Sequence, residues 1–186
     1  MDSTLSEVKN KNRQKQETDS TMRAILLNGP SSAGKSSLAW ALKERISKTG
    51  SCSLISLDDY MTVPQDEEIW EDDVFEVMPP MCAAISKALQ ENATVIVDHV
   101  ITSQRIYDAV LNAMGTAKCL KVLITCDLET LKERERKRGD RYIGSAEASF
   151  KYLYPKNGYD AVFDSGKRSS DQMAGDIMKL LTWYLD

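Results

Sequence analysis

With 186 residues, 42% of them hydrophobic and 28% charged, the chain has the make-up of one ordinary globular domain with a sizeable core. A formal charge of −4 leaves no dominant basic face, which argues against a protein built to grip nucleic acid or an anionic membrane. No apolar run reaches the length of a membrane span and the N-terminus lacks a signal-peptide core, so a cytoplasmic protein is expected.

Residues 1–21, MDSTLSEVKNKNRQKQETDST, hold few apolar side chains and charges of both signs. Burial cannot offset the entropy of ordering such a segment, and a flexible tail is expected there. Met22 stands where a domain could begin, so the domain is read as 22–186. From it onward, short apolar runs alternate with helical periods. Strands are expected at 24–28, 53–58, 94–100 and 120–126, with a weaker one at 161–164. Their near-continuous apolar character suits strands covered on both faces. Helical periods fall between them, at 37–47, 79–90, 103–114, 128–137 and 170–185. This order predicts a single α/β domain of three layers, with a five-stranded parallel sheet and helices on both faces. Cys52, Cys82, Cys119 and Cys126 form no CxxC pair and are expected as free thiols, with disulfides the alternative.

The first strand runs into LNGPSSAGKSS, where Gly29, Gly34, Lys35 and Ser36 complete GxxxxGK[ST]. A strand precedes the motif and an amphipathic helix follows it, the context that a phosphate loop requires. The glycines let the backbone curl so that N–H groups of Ser31, Ser32, Ala33, Gly34 and Ser37 can turn towards phosphate oxygens. The helix beginning near Lys35 adds its positive end. Lys35 supplies a charge for the β- and γ-phosphates and Ser36 a hydroxyl for Mg²⁺. ATP is the expected nucleotide.

Two carboxylates end neighbouring strands. In TVIVD, Asp98 can hold Mg²⁺ directly or through water; the alternative is a strand-end aspartate capping a turn. His99, the only histidine, either faces an acceptor or is a structural residue. In SLISLDDY, Asp58 is placed to take the proton of an acceptor alcohol, with Asp59 capping or pointing away. The alternative for both is a capped turn. In CDLETLKERERKRGDR, Asp127 reads as an N-cap, and Arg134, Arg138 and Arg141 recur at spacings of four and three. They lie on one face if the helix persists that far, and would form a lid over the nucleotide and the moving phosphoryl group. A solvated face of Glu/Arg pairs involving Glu133 and Glu135 is the alternative.

Taken in order, LNGPSSAGKSS, LDDY, VIVDHV, CDLETLKERERKRGDR and GYDAVFDSG resemble the chloramphenicol phosphotransferase-like kinases, from Met22 to Leu181. The resemblance implies transfer of the γ-phosphate of ATP to a drug hydroxyl. It casts Asp58 as general base, Lys35 and Ser36 as phosphate and metal contacts, and the three arginines as the lid. The chain departs from the family at Asp98-His99, where two adjacent acids are expected, and at 154–157, where a histidine is expected. It also departs in the acidic 65–76, in which Trp70 and Phe75 are interleaved. That stretch is either a solvated surface or a wall that draws a cationic acceptor. The leading expectation is therefore an ATP- and Mg²⁺-dependent kinase of a hydroxylated small molecule, with an antibiotic among the candidates. A nucleoside, nucleotide or metabolite kinase and a non-catalytic nucleotide switch are the alternatives.

Overall fold

A computed structural model describes residues 23–62, 65–91 and 93–183. The segment read as a tail lies outside the described residues. Five strands, β1 (Arg23–Asn28), β2 (Cys52–Ser56), β3 (Thr94–Asp98), β4 (Lys118–Thr125) and β5 (Ala161–Asp164), form one parallel sheet in the order β2-β3-β1-β4-β5. Six helices accompany them: α1 (Lys35–Ile46), α2 (Glu71–Gln90), α3 (Gln104–Met114), α4 (Leu128–Arg138), α5 (Ser145–Tyr152) and α6 (Ser170–Trp183). The expected α/β architecture is the one observed. Among the described residues, no helix is long and apolar enough to cross a membrane.

The central strand β1 shows why the sheet is covered twice. Successive side chains of a strand point to opposite faces, and both sets here are apolar and fully buried. Ile25 and Leu27 pack with Leu38, Leu42 and Ile46 of α1 and Met173 and Ile177 of α6. Ala24 and Leu26 pack with Met78, Met81 and Ile85 of α2 and Ile106 and Val110 of α3. Each such aliphatic side chain contributes about 1.5–3 kcal/mol by leaving water. All strands being parallel, their carboxyl ends share one edge, where the chain's chemistry collects.

The structure moves the expected bounds of α2 and β2 and adds one helix. Helix α2 begins at Glu71, eight residues before the expected start, and carries Pro79 and Pro80 in its interior. Proline there removes the bonds to the carbonyls of Phe75 and Glu76; both residues are exposed or partly so, and water can serve those oxygens. The Asp73 carboxylate accepts the Trp70 N–H at 2.7 Å and caps the start. Strand β2 stops at Ser56 and the chain turns through a 3₁₀ helix, Leu57–Asp59. Helix α5 is not expected from the sequence, because its eight residues bury only Ala146 and Ser149. The four cysteines are free thiols, Cys126 buried and the others partly so; burial pushes the Cys119 thiol up to about 12.

Candidate active site

The phosphate loop leaves β1 through a close approach that only glycine allows. A Cβ on Gly29 would lie 2.1 Å from the carbonyl oxygen of Ile124 on β4. Gly34, at φ +87°, ends the loop in the left-handed region and Lys35 opens α1. Ser32 also adopts a positive φ, 63°, uncommon for a residue with a Cβ and a sign that the loop is held by its surroundings. Gly29 and Ala33 shape the loop from within: Ala33 is fully buried and donates its N–H to Pro30 O. Ser31, Ser32, Gly34, Lys35, Ser36 and Ser37 line a cleft of about 670 Å³. The Oγ atoms of Ser31 and Ser32 are buried and have no hydrogen-bond partner among the described residues, the condition of donors built for an acceptor.

Lys35 is buried, and its ammonium donates to Pro30 O at 2.9 Å. Burial lowers its pKa to about 8 against the opposing pull of Asp98. Asp98, at the end of β3, is also buried; it accepts a 2.7 Å hydrogen bond from Ser36 Oγ and a 3.4 Å one from Ser56 Oγ. Burial raises its pKa despite Lys35 and the Ser36 bond. An oxygen-only pair of one hydroxyl and one carboxylate suits Mg²⁺, which keeps several waters and takes its other ligands from phosphate. No group of three or more His, Cys, Asp or Glu with metal-holding geometry occurs among the described residues, so the pair fits a metal shared with a substrate rather than a closed protein cage.

Asp98 and His99 separate the two sides of the cleft. Asp98 turns towards Ser36 of α1, whereas the His99 Nε2 meets the Met78 sulfur of α2 at 3.4 Å. His99 is buried, its Nδ1 has no hydrogen-bond partner among the described residues, and burial lowers its pKa to about 4. The ring is therefore neutral at physiological pH.

Asp58 lies on the 3₁₀ turn after β2, lines the cleft and pairs with Arg141. Asp59 caps the same turn, accepting the Ser56 N–H at 3.3 Å, as one of its expected roles required. The expected arginine face is not a single helical stripe. Helix α4 ends at Arg138 because Gly139 adopts φ +65°; Arg141 reaches Asp58 from the segment beyond. Arg138 pairs with Asp140. Arg134 donates to the Ser165 carbonyl and hydroxyl, each at 2.9 Å, and to Ser32 O at 3.5 Å, joining the segment after β5 to the phosphate loop. All three arginines nevertheless line the cleft.

Three supporting residues carry no signal in the sequence. Asn28 is buried with every amide group paired: Nδ2 donates to Tyr154 O and Tyr159 Oη, while Oδ1 accepts from the N–H groups of Gly29 and Ile101. It fastens the root of the phosphate loop to the chain after β3 and to the GYD stretch. Glu135, which the alternative reading put on a solvated face, is buried; its carboxylate accepts from the N–H groups of Gly144 and Ala146 and docks α5 on α4. Ser149 of α5 accepts the Ser31 N–H at 2.9 Å, so α4, α5 and the phosphate loop form one bonded body. A polar residue inside a charged run shows no sign of burial; the ERER repeat around Glu135 hides it.

No curated protein matches the chain. Among solved structures, the APS kinase of Mycobacterium tuberculosis in complex with AMPPNP and APS is 18% identical at a TM-score of 0.68, with 86% of this chain and 97% of that one covered. A gluconokinase from Sinorhizobium meliloti is 18% identical at 0.59, covering 88% and 97%. The tunicamycin resistance protein of Deinococcus radiodurans is 18% identical at 0.58, covering 86% and 95%. At such identities the likeness speaks of the fold, that of P-loop kinases. The family described as chloramphenicol phosphotransferase-like protein matches residues 22–182. Almost the whole described chain is thereby accounted for, and the protein belongs to the chloramphenicol phosphotransferase-like family.

Proposed function

We propose that the protein is a cytoplasmic ATP-dependent kinase that moves the γ-phosphoryl group to a hydroxyl of a small molecule. The observation that carries this reading is the convergence of Lys35, Ser36 and Asp98 with Asp58 and Arg141 on one cleft. The loop N–H groups other than those of Ser31 and Ala33, which donate to Ser149 Oγ and Pro30 O, hold the triphosphate with Lys35, and Arg134 and Arg138 cover it. Ser36 and Asp98 would hold Mg²⁺, which supplies charge to neutralise the phosphate oxygens. Asp58 accepts the proton of the acceptor hydroxyl as its oxygen bonds to the γ-phosphorus and the bond to the β-phosphate oxygen breaks, releasing ADP. Because Asp58 is paired with Arg141, the alcohol competes with a guanidinium for that carboxylate, and the displaced Arg141 can serve the transferring group. The family's description, together with a tunicamycin resistance protein among the structural relatives, supports antibiotics as the first acceptors to try.

The test is ADP release and phosphoester formation with hydroxylated antibiotics, nucleosides and sugars, with Lys35→Ala as the inactive control. Nucleotide binding without acceptor-dependent turnover on any of them would replace the kinase with a nucleotide switch.

A further inference from the structure

The two halves of the cleft carry opposite charge. Its basic lining residues are Lys35, Arg134, Arg138 and Arg141, all placed for the phosphates or, through Arg141, for Asp58. The other half is walled by Met61, Ile69, Trp70 and Val74, with Glu68 and Glu71 beside them. Trp70 is 66% exposed on this wall, a large aromatic face that nothing on the described chain covers.

The charges of this wall are only partly balanced within the protein. Arg105 pairs with Glu71 and Asp72 and lies 4.2 Å over the Phe75 ring. Glu68 has no basic partner among the described residues, nor have Asp66, Glu67 and Glu76 of the same acidic stretch. An acceptor bearing a phosphate, sulfate or carboxylate would meet carboxylates here, with the Arg105 guanidinium already held by Glu71 and Asp72. His99 gives a second, independent pointer to a ligand on this side. Its ring lines the cleft with Nδ1 unpartnered and only 1% of the residue exposed.

We infer that the acceptor is a cationic amphiphile, an alcohol carrying a protonated amine, whose apolar body rests on Trp70, Ile69 and Val74 while the ammonium faces Glu68. The attraction has two parts, Coulombic to the carboxylate and cation–π to the indole. The inference adds a substrate class to the kinase reading and rests on its assignment of the acceptor side.

Binding of three probes on one scaffold tests it: 2-amino-1-phenylethanol, its N-acetyl derivative and mandelate, which are cationic, neutral and anionic. Calorimetry on the whole protein with a non-hydrolysable ATP analogue, at low salt, gives the three affinities. The amine should bind roughly five- to tenfold more tightly than the amide, and mandelate most weakly. Glu68→Gln should reduce the advantage of the amine to the part owed to the indole and leave the amide unchanged, whereas Trp70→Ala should weaken both. An amide that equals the amine, a preference for mandelate, or failure of all three to saturate overturns the inference. Phosphoryl transfer, measured separately with ATP, decides the kinase reading: turnover of neutral acceptors without a preference for amines would keep the kinase and remove the cationic acceptor.

Discussion

Ser36 Oγ and Asp98 Oδ2, sixty-two residues apart in sequence, are 2.7 Å apart in space. This bond ties the first turn of α1 to the end of β3 and sets a hydroxyl and a buried carboxylate side by side. Asp98→Asn keeps the shape and the acceptor oxygen but removes the charge. The Mg²⁺ concentration for half-maximal activity should rise by at least ~10-fold, with kcat lower by roughly 10². Burial raises the Asp98 pKa, so its ionised form costs stability at neutral pH; the variant should melt no lower than the parent. An unaltered Mg²⁺ titration would remove Asp98 from the metal site.

Asp58→Asn separates chemistry from binding. The amide cannot accept the proton, so transfer should fall about 10²- to 10⁴-fold, while ATP affinity, set across the cleft, should stay within about twofold. Arg141→Ala leaves the carboxylate unpaired and removes the guanidinium from the transferring group. Because the two residues form one pair, the double variant should lose much less than the sum of the two single losses. Full transfer by Asp58→Asn would rule it out as the base.

Lys35 should give the pH profile its basic limb. Its pKa is lowered to about 8, so the free enzyme loses this charge as pH rises through that value. The kcat/KM for ATP, which reports the free enzyme, should decline above about pH 8. Bound phosphates favour the ammonium, so the corresponding limb in kcat should lie higher. Lys35→Arg, which does not titrate in this range, should show no such limb whatever its remaining activity. A limb that persists near pH 8 in that variant would belong to another group.

His99 should make folding stability depend on pH on the acid side. Its folded pKa of about 4 lies below the ordinary 6.5, so the unfolded chain binds more protons between those values. Stability therefore rises with pH through this window and is lost as pH falls through it. A shift of this size corresponds to a loss on the order of 2–3 kcal/mol between pH 7 and pH 4. His99→Gln should lack that part of the slope, and denaturant unfolding at a series of pH values measures the difference. The raised pKa of Asp98 acts with opposite sign but is common to both proteins. Parallel curves would show that His99 is not held neutral.

The elements legible in the sequence are those whose pattern is local. The strand 161–164 is legible to the residue, because β5 is a short apolar run ending at an aspartate. The phosphate loop is legible because its spacing is itself the mechanism. Helix α2 is not, since Pro79-Pro80 reads locally as a start, whereas its actual start is fixed by the Asp73 cap and by Val74 and Met78 entering the core. Arg141 lines the cleft but not from a helical stripe, because the helix does not persist that far: it ends at Gly139 and Arg141 meets Asp58 from the segment beyond. Asn28, Glu135 and Ser149 join elements through partners as far as 131, 11 and 118 residues away, separations at which no periodicity speaks.

The sheet also partitions the molecule's freedom to change. The packing that supports the phosphate loop and the lid gathers on the face of α1 and α6, together with Leu131 of α4 and Ala146 of α5. Val74 and Ile69, which wall the acceptor side, belong to the cluster of α2 and α3 on the opposite face. The cleft-facing side chains of 68–70 can therefore change while the first layer keeps its core packing. On the proposed kinase reading, a lineage can trade one acceptor for another through this one segment and inherit the nucleotide machinery whole.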